Sequence, residues 1–113
     1  MAEAGAPIEV AKAGGATGRT VAELYAERGD LSGKSVTLRG KVVKYNAGIM
    51  GRNWIHLQDG TGDAADGTND VTVTSSGTTA IGEVILVRGT VAVDKDFGAG
   101  YRYAVIVEDA SVN

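Results

Sequence analysis

The chain contains no cysteine, one proline and one histidine. Without thiols it has no disulfide framework, no thiolate zinc site and no cysteine nucleophile, an absence that suits cytoplasm and periplasm alike. The lone His56 has no histidine partner for a metal centre and no serine at motif spacing for nucleophilic catalysis. Long apolar runs are missing too. None approaches the roughly 20 residues of a membrane-crossing helix, and the start lacks a basic stretch followed by an apolar one, so no membrane partner is expected. Positive charge is scarce: the net charge is −3 and the pI near 5.0. A polyanionic partner would therefore need a local cationic patch.

What is abundant is glycine, 17 of 113 residues, together with Val and Thr. This composition suits short strands joined by tight turns, built around one core in one domain. Residues 1–18 are mostly Ala and Gly, with Ile8 and Val10 the only large apolar groups, and read as a flexible arm whose removal should barely change the melting temperature. The domain proper is then 19–113. Ala2 to Pro7 has the small-residue character of the start of a mature exported protein, which makes the expected location periplasmic or extracellular; an ordinary frayed cytoplasmic terminus is the other reading. Thr20 and Glu23 have capping-box spacing, and Val21, Leu24 and Tyr25 share a helical stripe, so a short helix should run to Gly29.

An internal echo follows. Gly33, Val36, Leu38, Arg39, Gly40 and Val42 recur at the same offsets as Gly82, Ile85, Val87, Arg88, Gly89 and Val91. Two strands share one design, each with a glycine on its inward face, where a bend or a close backbone approach is expected. Strands are expected over Ser35–Asn46, Arg52–Asp59, Val71–Thr74, Glu83–Asp94 and Tyr101–Glu108. The polar Asp59–Asp70 connection should be a surface loop. Period-2 alternation places Val36, Leu38, Val42, Ile55, Leu57, Val71, Val73, Ile85, Val87 and Val91 together in a core. Five strands after a brief helix give an all-β fold class, a five-stranded Greek-key barrel.

Several segments resemble one known family: Gly33-Lys34, Val36 through Val42, Gly48-Ile49-Met50-Gly51-Arg52-Asn53-Trp54, Asp59-Gly60-Thr61-Gly62, Gly89, Lys95 through Tyr101 and Glu108-Asp109-Ala110. The chain from about Thr20 onward is similar to small bacterial OB-fold proteins of the nucleic-acid-binding, tRNA-anticodon-like type, which are often exported. The resemblance implies an OB-fold barrel and a nucleotide- or DNA-binding role. The helix usual between strands three and four is shortened here to Ser75–Ile81, and the Asp63–Asp70 loop is unusually acidic.

OB barrels present ligands on the outer face of strands two and three, between the loops joining strands one to two and four to five. The candidate nucleic-acid-binding residues are accordingly Arg39, Lys41, Arg52, Trp54, His56, Lys95, Phe97 and Tyr101, a mixture of cations and aromatics on which bases stack. The plainer reading is that Trp54 and Tyr101 pack on each other over the barrel mouth while Arg39 and Lys41 are solvated. The acids between Asp59 and Asp70 lack the alternating oxygens and distal Glu of an EF-hand, so a solvated turn is expected rather than a metal site. Gly48–Gly51 and Gly98–Gly100 lead into no helix and match no phosphate-loop fingerprint. No catalytic residue and no cofactor are expected. The functional expectation is a non-enzymatic binder of single-stranded nucleic acid or a similar polyanion; the alternative is an extracytoplasmic module that contacts another protein or its own copies through Ile49, Met50 and Phe97.

Overall fold

The computed structural model describes residues 7–113. After two helical turns, α1 (Val21–Ala26) and α2 (Arg28–Leu31), come five strands: β1 (Ser35–Ile49), β2 (Arg52–Gln58), β3 (Val71–Ser75), β4 (Val84–Asp96) and β5 (Arg102–Val112). They pair in a closed ring of order β1-β2-β3-β5-β4. Every pairing is antiparallel except β3 with β5. All ten residues expected from alternation lie in one buried cluster, joined by Val21, Leu24, Leu31, Val105, Val107 and Ala110. Among the described residues no helix is long and apolar enough to cross a membrane.

The echoed strands turn out to be neighbours. In β1–β4 pairing Val36 faces Gly89, Leu38 faces Val87 and Gly40 faces Ile85. Hydrogen bonds at the two ends match as well: Gly33 N–H donates to Val91 O and Gly82 N–H to Val42 O, both at 2.8 Å. The repeat is thus a local two-fold centred on Leu38 and Val87. Both glycines mark close approaches, as expected. A Cβ on Gly40 would lie 3.2 Å from Gln58 O and Leu57 Cβ; on Gly89 it would lie 2.8 Å from Glu108 O and from a Val107 methyl. Gly89 faces a bulge in β5, where pairing jumps from Ser111 to Glu108 across Arg88 and Thr90.

The helix differs from expectation in its end. It breaks at Glu27 (φ −103°), and Gly29 sits inside a second turn. Its start is the expected capping box, Thr20 Oγ1 accepting Glu23 N–H while Glu23 accepts Thr20 N–H. The two preceding donors are satisfied from the end of β2. Asp59, buried, accepts Val21 N–H (2.9 Å) and both Thr61 N–H and Thr61 Oγ1–H, and Thr61 Oγ1 accepts Ala22 N–H. Three orphan amides of the helix start are therefore paired. The Asp59-Gly60-Thr61 turn is a helix cap supplied from far along the chain.

Of the expected arm, residues 1–6 lie outside the described residues, and the rest runs against the body. Val10 N–H donates to Asp59 O, and a side chain on Gly60 would collide with Ile8 O. Ala13 is 2% exposed. Gly18 bridges Thr37 in parallel, with Thr37 N–H donating to Thr17 O (2.9 Å) and Arg19 N–H to Thr37 O (3.0 Å). The reason lies in β1, whose pairing with β2 begins only at Lys41. Its first residues would otherwise leave a bare strand edge, and backbone groups left unpaired there are costly. Residues 17–19 cover that edge.

Candidate functional site

Two hairpin tips frame the outer face of β2. At the β1–β2 tip Met50 and Gly51 both have positive φ (55° and 76°), the backbone demanded by a two-residue hairpin of type I′. At the β4–β5 tip Asp96 Oδ1 accepts Gly98 N–H (2.7 Å), and Phe97 N–H donates to Tyr101 O (2.8 Å).

Trp54 projects from β2 between these tips. Its ring stacks on Tyr103 (centroids 6.0 Å, 27°) and meets the edge of Phe97 (5.2 Å, 77°), while Nε1–H donates to Ile49 O (2.8 Å). The expectation of an exposed stacking platform is corrected here: Trp54 is only 6% exposed. Covering by the β4–β5 tip, which strand alternation does not report, is the cause. What remains open is a cavity of about 350 Å³ whose walls include Trp54, Phe97, Tyr101 and Tyr103 with Ile49 and Met50 at its mouth. Lys44 and His56 line it as well. Ile49, Met50 and Tyr101 are 48%, 54% and 57% exposed.

Cations gather at Phe97. The Arg52 guanidinium lies 5.9 Å and the Lys95 ammonium 5.5 Å from its ring centroid, within reach of cation–π attraction. Lys95 also approaches Glu108 at 3.4 Å. His56 Nδ1 lies 3.0 Å from Asp70 Oδ1, and Asp70 also accepts from Gln58 Nε2 and, at its carbonyl, from the Tyr25 hydroxyl.

Six of the eight expected site residues therefore converge: Arg52, Trp54, His56, Lys95, Phe97 and Tyr101. Arg39 does not. Its Nη1 donates to Ala11 O and Lys12 O (3.3 Å each), so it holds the N-terminal segment. Lys41 stands opposite Gln58, outside the cavity lining. Tyr103 is the residue that sequence reasoning missed; its pairing with Lys95 across the hairpin, and its place two residues from Tyr101, carried the signal. Burial raises the Tyr103 hydroxyl pKa above the ordinary tyrosine value, with a smaller contribution from Tyr101.

No family model, curated protein or solved structure matches this chain. The chemistry of the site is thus read from its own residues. His56 and Asp70 form a pair joined by Gln58 and, at the Asp70 carbonyl, by the Tyr25 hydroxyl, and among the described residues no three His, Asp or Glu side chains are placed to hold a metal ion. Two acids of the Asp63–Asp70 loop are spent on the loop itself, while Asp70 turns to His56 and Gln58: Asp63 accepts Ala65 N–H, and Asp66 accepts Thr68 N–H and Oγ1–H, contacts that lower the Asp66 pKa. What the site offers is a cavity with largely aromatic and apolar walls and cations close by.

Proposed function

We propose that this domain is a non-enzymatic binding module of OB type that takes bases of single-stranded nucleic acid into the Trp54–Tyr103 cavity. The observation that carries the reading is the aromatic cavity between the two hairpin tips, with Lys44, Arg52 and Lys95 around it. Aromatic walls fit the faces of any base, and cations at the rim fit the phosphates between them, the combination used by single-strand binders. The ring order, and a face of β2 framed by the β1–β2 and β4–β5 tips, support the OB assignment. Two acids near this face have partners of their own, Asp70 with His56 and Gln58 and Glu108 with Lys95, which leaves Lys44 and Arg52 as cations outside any ion pair among the described residues.

Titrating the fluorescence of Trp54, the single tryptophan, with a single-stranded oligonucleotide at two salt concentrations tests this directly. Quenching that weakens as salt rises is the expected result, because phosphate contacts release counterions. A flat titration at low salt overturns it. The exposed Ile49, Met50 and Tyr101 then favour the second reading, a protein partner or another copy of this chain at the same tips, which sedimentation would detect.

A further inference from the structure

A second cavity, of about 230 Å³, is lined by Gly51, Arg52, Ser75, Ser76, Asp109 and Ala110. Arg52 links the two places: its guanidinium lies 5.9 Å from the ring centroid of Phe97, a wall of the aromatic cavity, and Arg52 lines the polar one. Asp109 reaches the cavity lining from an unusual backbone position. It lies in the β5 bulge opposite Gly89, at φ 53°, with its N–H on Thr74 Oγ1 (3.3 Å). Bulges re-aim side chains, and aspartate tolerates this left-handed backbone better than most residues. Arg52 and Asp109 face one cavity, yet among the described residues neither takes part in an ion pair. Opposite charges that share a cavity without meeting leave a polar gap that a ligand with both an anion and N–H donors would fill.

We infer that the polar cavity is a second nucleotide subsite, contiguous with the first through Arg52, and that it selects a base bearing N–H donors. The inference rests on the proposed nucleic-acid reading. Arg52 takes the phosphate between two nucleotides, since a guanidinium matches phosphate oxygens. The neighbouring base enters the polar cavity and presents its donor edge to the Asp109 carboxylate, which accepts only. Guanine, with two adjacent donors on its Watson–Crick edge, suits a carboxylate best. A second phosphate is repelled by Asp109, which fixes where along the strand the charge must sit. Ser75 is occupied structurally, donating to Ala110 O and accepting Gly77 N–H, so Ser76 is the hydroxyl left to assist.

The test uses dinucleotides: dTpdG and dGpdT, each compared with dTpdT, titrated against the full chain by calorimetry and Trp54 fluorescence. The expected result is that one guanine-containing dinucleotide binds about tenfold more tightly than dTpdT, the scale of one good side-chain-to-base match. In Asp109→Gly, a residue suited to φ 53°, and in Asp109→Asn, that ratio should fall toward one. Equal binding of all three dinucleotides, or a ratio that survives both substitutions, overturns the second subsite. If longer single strands still bind while the dinucleotides do not differ, only this inference fails. If no single strand binds at any length, the proposed function itself fails and the subsite with it.

Discussion

Leu38 and Val87 face each other across the β1–β4 pairing, each the counterpart of the other in the internal repeat, at the centre of a local two-fold. The symmetry is incomplete in one informative respect. Gly40 packs against the regular backbone of β2, whereas Gly89 packs against the bulge of β5 at shorter range.

Gly89→Ala should therefore destabilise more than Gly40→Ala. At Gly89 the new methyl would press on a carbonyl oxygen at 2.8 Å, which must shift; overpacking of this kind costs about 1–3 kcal/mol. At Gly40 the neighbours stand at 3.2 Å and need give by only tenths of an ångström. Urea denaturation of the two variants compares them, and a larger loss for Gly40→Ala would contradict the packing described.

Removing residues 1–18 should lower stability by about 2–4 kcal/mol, on the basis that each lost hydrogen bond contributes about 1 kcal/mol and uncovered backbone groups add to the cost. The lost contacts include Val10 with Asp59, Thr17 with Thr37, Ala11 and Lys12 with Arg39, Lys12 with Glu23, and the buried Ala13. A melting temperature within a degree or two of the full chain would show that the segment only rests on the surface.

Met50→Gly should do two opposite things. Met50 holds φ 55° in the β1–β2 turn, a conformation that costs an ordinary side chain roughly 1 kcal/mol and glycine nothing. The variant should therefore melt higher. It should also bind an oligonucleotide severalfold more weakly, because Met50 walls the aromatic cavity. Higher stability with unaltered binding would remove Met50 from the site.

The tyrosines set a pH limit. Burial raises the pKa of Tyr25, with Asp70 adding to it, and burial raises that of Tyr103. As pH climbs past about 10 the unfolded chain loses these protons first, so it binds fewer protons than the folded one and stability falls with rising pH. That contribution is whole below pH 10 and is lost as pH passes through the raised values. Denaturation midpoints between pH 8 and 11, with tyrosinate absorbance followed alongside, should show the decline, and Tyr103→Phe should lessen it.

Much of this was legible from residue order. The ten core positions were, because an inward face in a strand repeats every second residue and β1, β2, β3 and β4 all keep that period where they pack. Gly40 and Gly89 were legible because each replaces an apolar residue on that face. The site was legible only as a set of candidates. Alternation places Trp54 on the outer face of β2 but cannot say that Phe97 and Tyr103 return to cover it. The docking of residues 7–18 was hidden for a different reason: it relies on carbonyls, amides and the small Ala13, which composition counts as having nothing to bury. Arg39 was misplaced by the same blindness, since its partners are the backbone oxygens of Ala11 and Lys12.

The cap that Asp59 places on α1 has a consequence for how the molecule opens. One carboxylate and its own carbonyl tie together the N-terminal segment at Val10, the helix at Val21 and the turn at Thr61. None of these ties can form before β2 has reached its end, and none can be released singly without leaving the buried Asp59 short of a donor. The N-terminal segment and the helix should thus detach from the ring as a single cooperative unit. In hydrogen exchange the amides of Val10, Val21 and Ala22 should then share one opening free energy, below that of Leu38 and Val87 in the ring, and Asp59→Ala should accelerate all three together while leaving the ring amides slow.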